Sequence, residues 1–110
     1  MFRNRAGWTL TIKVWVDRHG VKVLGPGRAE LLGHIARQKS IAAAAKLMDM
    51  SYRRAWGLVR SINDAAGEPL VEVAKGGTGG GGAELTAAGR DALAAYRGIV
   101  THLAKAARKM

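Results

Sequence analysis

The chain has 110 residues, with 18 Lys+Arg against 8 Asp+Glu and a formal net charge of +10. That makes one modest domain whose basic excess suits a polyanion, nucleic acid before an anionic membrane surface. Cysteine is absent, which excludes disulfides and thiolate metal sites, and His19, His34 and His102 are too scattered to show a metal-ligand spacing. No apolar run approaches the roughly 20 residues of a membrane span, and none follows the basic start as in a signal peptide, so the cytoplasm is the expected compartment.

Residues 10–16, LTIKVWV, alternate with Leu10, Ile12, Val14 and Val16 on one face, which predicts a half-buried strand. Asp17-Arg18-His19-Gly20 is a turn signal, and residues 21–24, VKVL, return as a second short strand, so an N-terminal hairpin is expected. His19 then sits at its tip as a solvated turn residue. Pro26 can open a helix, and Ala29, Leu31, Leu32, Ile35 and Ala36 form an apolar stripe at helical spacing. His34 lies beside that stripe with no acid or nucleophile placed near it, which suits a packed or surface residue rather than a catalytic one.

Residues 40–62, SIAAAAKLMDMSYRRAWGLVRSI, read as a helix, a turn and a second helix. Ser40 is the expected N-cap of the first, and Ile41, Ala44, Ala45 and Met48 supply its inner face. Asp49 falls at the turn, where a left-handed backbone is needed. Met50 plugs the turn, and Ser51 caps the second helix. At 100° per residue, Ala55, Leu58, Val59, Ile62 and Ala66 gather on an inner face. Arg53, Gly57, Arg60 and Asp64 lie opposite, with Ser61 nearby and Tyr52 and Arg54 flanking. Trp56 lies at the edge of the apolar side and is read as packing rather than base stacking. Gly57 costs about 1 kcal/mol against Ala inside a helix, which points to close approach of something on that face. Gly67 follows the last turn as a C′ glycine, and Pro69 prevents continuation. Between Arg37 and Arg60, six basic residues face one acid, Asp49. A helix pair with one basic outer face is the pattern of a helix-turn-helix.

Residues 70–74, LVEVA, carry a strand signal. Six glycines follow in the eight residues 75–82, and Ala83-Glu84-Leu85 can return as the partner strand. Two strands and a glycine loop after such a helix read as a wing, whose glycines permit close approach to a phosphate strand. A flexible linker is the plainer alternative, but apolar segments flank the loop closely on both sides. Gly77, Gly79 and Gly82 form a formal G-x-G-x-x-G, but a strand-like segment follows where a nucleotide site needs a helix, and Gly-Lys-Ser/Thr is missing. Thr86 is the expected cap of a last helix, from residue 87 to about 109. Its Leu93, Tyr96, Val100, Leu103 and Ala107 form one stripe. The helix is long for so small a domain, and part of its apolar face is expected to meet another subunit.

The order of these segments, with Ser51-Tyr52-Arg53-Arg54-Ala55-Trp56 and a glycine-rich wing closed by Ala83-Glu84-Leu85-Thr86, resembles the N-terminal DNA-binding domain of ModE-type molybdate-responsive transcriptional regulators. Ser40-Ile41, Ala44-Ala45 and Leu85-Thr86-Ala87-Ala88-Gly89 also fit the broader LysR-type helix-turn-helix. The resemblance runs from about Leu10 into the last helix. It implies a mainly α winged helix-turn-helix with small β structure, acting on double-stranded DNA as a homodimer and regulating transcription. The expected domain is single, residues 1–110, with the helix-turn-helix at about 40–66, the wing at about 70–86 and a dimerisation helix at about 86–109. Expected major-groove residues are Tyr52, Arg53, Arg54, Gly57 and Arg60, since arginine's fork reads guanine O6 and N7. Lys39, Ser40, Lys46 and Ser51 are expected at phosphates, with Lys75 and Thr78 holding the wing to the backbone. In that family separate β-barrel domains bind the oxyanion. Residues 1–110 hold no counterpart, so the expectation is a related regulator lacking it, with an oxyanion effector (molybdate or tungstate) left open. No cofactor, metal or membrane partner is expected. A non-specific architectural DNA binder, or a ligand- or protein-binding module on the same fold, are the alternatives. No nucleophile–base pair or carboxylate pair suggests an enzyme.

Overall fold

A computed structural model describes residues 6–74 and 82–109. In chain order it has β1 (Val16–Arg18), β2 (Val21–Leu24), α1 (Pro26–Gln38), α2 (Ile41–Leu47), α3 (Tyr52–Ala66), β3 (Val71–Ala74), β4 (Gly82–Leu85) and α4 (Ala87–Arg108). The strands form two separate antiparallel pairs, β1 with β2 and β3 with β4. The second pair is in regular register from Val71 opposite Leu85 to Ala74 opposite Gly82.

The core gathers round α1. Leu31, Leu32 and Ile35 are fully buried, and Val59 and Ile62 of α3 close over them with Leu24, Leu70, Leu85 and Leu93. The inner face of α3 comprises Ala55, Val59, Ile62 and Ala65, with Leu58 and Ala66 only half-buried. The wheel favoured Ala66. Ala65 takes its place because α3 continues regularly to Gly67, whose left-handed φ of 74° ends it, and Ala66 falls towards the rim of the apolar arc.

The strand expected over residues 10–16 is not formed. The ladder begins only at Val16, with a register shift between Val16 and Asp17. The physical reason is the lack of a partner: β2 ends at Leu24, where Gly25 and Pro26 start a helix. Trp15 turns over Gly25, at a spot a Cβ would occupy, and the Lys22 ammonium lies 5.0 Å from the Trp15 ring centroid. Upstream, the Tyr96 hydroxyl of α4 donates to the Val14 carbonyl at 2.9 Å. Burial pushes that phenol above its ordinary value of 10.0, favouring the protonated form that donates. Leu10, Ile12 and Val14 share a cleft with Val100, Leu103 and Ala104 of α4, but of the alternating residues only Val14 is half-buried.

Polar joints fix the second strand pair. Asn63 of α3 accepts from the Leu70 and Val71 amides through Oδ1 at 2.8 and 3.2 Å, and donates to the Val71 carbonyl at 3.1 Å. The Thr86 hydroxyl donates to the Pro69 carbonyl at 2.7 Å and accepts from the Gly89 amide at 3.0 Å, capping α4 as expected. Gly89 must be glycine here, because a Cβ would overlap the Leu70 carbonyl. Replacing Asn63 by Ala strands two part-buried amides and is expected to lower unfolding free energy by about 2 kcal/mol in urea titration.

Candidate nucleic-acid interface

The pose of α3 is built from short-range rules. Ser40 caps α2 by accepting from the Ala43 amide at 3.1 Å. Asp49 adopts φ 53°, and the Met50 and Asp49 amides return to the carbonyls of Ala45 and Lys46 at 3.0 and 3.1 Å. This is a Schellman closure with aspartate in the left-handed seat. Ser51 then caps α3, accepting from the Arg54 amide at 3.1 Å. Ala44, Ala45 and Ala55 are all buried and small, so α2 and α3 sit close and the orientation of α3 is set by backbone-level contact.

That orientation presents Tyr52, Arg53, Arg54, Gly57 and Arg60 together on the solvent side, all exposed. Tyr52 is braced edge-on against Trp56, with ring centroids 6.3 Å apart and planes at 79°, while Trp56 itself packs partly into the core. Among the described residues, the guanidinium groups of Arg53, Arg54 and Arg60 make no hydrogen bond or ion pair with the protein. A Cβ at Gly57 would meet nothing within 4 Å, so the fold itself does not require glycine there.

The residues expected at phosphates are more dispersed. Lys39 stands at the end of α1 with φ 56°, and its carbonyl accepts from the Ala83 amide of β4 at 3.0 Å. Its exposed side chain is therefore carried at the joint between the helices and the second strand pair. Lys46 is exposed in the last turn of α2. The Ser40 and Ser51 oxygens are engaged as caps, which leaves each hydroxyl hydrogen free to donate. Lys75 and Thr78 lie outside the described residues, as does most of the glycine loop.

Two residues not singled out in the sequence hold this face in place. Arg28 donates to the Lys22 and Val23 carbonyls at 3.0 and 3.3 Å and to Ser61 Oγ at 2.9 Å, tying β2 to α3. Asn63 ties α3 to β3. A polar, poor helix former inside a helix is the one local sign that Asn63 has a tertiary role. Among the described residues no group of three or more His, Asp or Glu is placed to hold a metal, and no helix is long and apolar enough to cross a membrane.

A close helix pair, an outward basic second helix, a strand pair and a long last helix define a winged helix-turn-helix. Residues 28–90 match the family described as bacterial regulatory helix-turn-helix protein, lysR family, and the chain belongs to that family. It is 42% identical over 92 residues to the molybdenum-pterin-binding protein MopB of Rhodobacter capsulatus, covering 84% of this chain and 34% of that protein. It is 44% identical over 71 residues to the DNA-binding transcriptional dual regulator ModE of Escherichia coli, covering 64% and 27% respectively. The chain thus spans about a third of the length of the curated relatives it matches. In structure it resembles the CbnR DNA-binding domain, solved as a DNA complex, with TM-score 0.60 and 24% identity over 76% of this chain and 90% of that one.

Because Gly57 is open to solvent, Gly57→Ala is expected to stabilise the fold by about 1 kcal/mol in urea or thermal unfolding.

Proposed function

We propose that this chain is the reading head of a cytoplasmic transcriptional regulator, binding duplex DNA sequence-specifically as a homodimer. The observation that carries the reading is the outer face of α3, where Arg53, Arg54 and Arg60 are exposed and unpaired with the protein. A structural arginine is normally spent on an acceptor of its own chain; these are offered outward. Each can meet guanine O6 and N7 with two parallel N–H bonds. Gly57, between them, lets a base edge or sugar come close to the helix backbone. Lys39, Lys46, Ser40 and Ser51 supply donors to the flanking phosphates, with Lys75 and Thr78 on the glycine loop in the same role, and these position the helix without reading sequence. The DNA-binding and regulatory names of its relatives agree with this reading.

Support for a homodimer comes from α4. Its buried residues are Gly89, Leu93 and Tyr96, all in the first half, whereas Ile99, Val100 and Leu103 are exposed by 45%, 39% and 36%. Leu10 and Ile12 of the N-terminal segment, also exposed, lie beside Val100 and Leu103. Together they make one apolar strip along α4, in a molecule whose overall extents, this helix included, are 59 × 30 × 20 Å.

Selection of bound fragments from a random duplex pool, followed by titration, tests the first point. Arg53→Ala and Arg60→Ala are each expected to cost about 1–3 kcal/mol on the selected site, and much less on random duplex. Equal losses on both would show that these side chains meet only the backbone. For the second point, Leu103→Glu is expected to sediment as a monomer where the parent sediments as a dimer, and to weaken binding to a two-fold site.

A further inference from the structure

The lysR-family match begins at residue 28, so the N-terminal hairpin lies ahead of the helix-turn-helix that this family shares. Its placement is not loose. Arg28 fastens β2 to Ser61 in the middle of α3 at 2.9 Å. At the other end, the Arg18 guanidinium lies across Gly67, where its carbon would be 2.7 Å from a Cβ. Held at both points, the hairpin forms one wall of a 520 Å³ cleft with Arg18, His19 and Val21, while α3 forms the other with Gly57, Arg60, Ser61 and Asp64. Gly57 and Arg60 belong to the outward basic face, so the hairpin tip stands beside the surface proposed to enter the groove.

The tip has a defined shape. His19 and Gly20 take φ 51° and 77°, two successive left-handed residues, which is the signature of a type I′ turn. Residues 17–22 are all exposed. Among residue types that tolerate the first left-handed position, this turn carries one with a ring N–H donor rather than the commoner asparagine or glycine. Arg18 adds a full positive charge beside it. Asp64 lies inside the cleft, so the rim rather than the interior suits an anion.

We propose that the hairpin tip, with His19 at its apex and Arg18 beside it, is a second backbone clamp that meets the phosphate strand bordering the groove read by α3. It rests on the duplex-binding reading of α3. It adds affinity and fixes the tilt of α3, and carries no sequence information of its own.

The absence of cysteine allows a direct test. His19→Cys, coupled to a short photo-crosslinker, is expected to bind the selected duplex and to crosslink to nucleotides at the edge of each half-site. His102→Cys, on the polar side of α4, is expected not to crosslink. A His19→Cys protein that binds with parental affinity but crosslinks no more than the His102→Cys control overturns the proposal and leaves the reading of α3 intact. A parent that retains no duplex at low salt overturns both. The charge of the tip gives an independent readout. His19→Lys is expected to tighten binding and steepen the slope of log K against log salt by about 0.9. His19→Glu is expected to weaken binding several-fold, by the same factor on selected and random duplex. Parental affinities and slopes for both variants overturn the clamp, and a loss confined to the selected site overturns its assignment to the backbone.

Discussion

Most elements of this domain lean on one helix. Leu31, Leu32 and Ile35 of α1 have no exposed surface, and α2, α3, α4, β2 and β4 all pack around it. A chain of this size can enclose only one small core, so each surrounding helix contributes one face and no more. For α3 this means Ala55, Val59, Ile62 and Ala65 point inward, and the remaining arc must face water. The proposed reading surface is thus a consequence of the core: burial of one stripe fixes the rotation of α3, and that rotation decides which side chains are offered outward.

The domain divides its basic residues into two groups. Arg28 and Arg90 donate to backbone carbonyls, and Arg37 engages the His34 ring, so these arginines serve as braces. With 8 acidic side chains for 18 basic ones, carbonyl oxygens have to act as the internal acceptors. Braces of this kind leave the charge uncompensated. Among the described residues the outward arginines of α3 have no such acceptor, so their charge adds to a field already positive. Such a field speeds encounter with a polyanion and makes binding salt-dependent, whatever the sequence being read.

What could be read in the sequence was what depends on near neighbours. Ser40, Ser51 and Thr86 cap helices, Asp49 turns left-handed, Gly67 ends α3, and the strands around the glycine loop pair as expected. Each of these is settled within a few residues. Residues 10–16 show the limit: their alternation is a real β preference, but a strand needs a partner, and β2 was already ending at Gly25. Arg28 and Asn63 show another. Their partners are 33 and 7 or 8 residues away, and no local pattern announces a side chain that bridges two elements. The outward face of α3 was legible because a helical period converts spacing into direction. The hairpin cleft was not, because it exists only through those bridges.

The form of α4 bears on how a single small reading surface gains enough specificity. One helix reaches few base pairs, and each well-made contact discriminates by about 1–3 kcal/mol. Doubling the surface through a two-fold axis adds the two contributions without enlarging either domain, provided the two α3 helices are held about 34 Å apart, one turn of duplex. A rigid spacer of that order is a helix of about 22 residues, since each adds about 1.5 Å, and α4 has 22. Its first half is locked to the core through Leu93 and Tyr96, so its direction is transmitted to α3 through α1. Its second half presents Ile99, Val100 and Leu103 beyond the body of the domain. In the proposed homodimer, pairing there rather than at the core would separate the dimer contact from the proposed reading face, so that each could vary without disturbing the other.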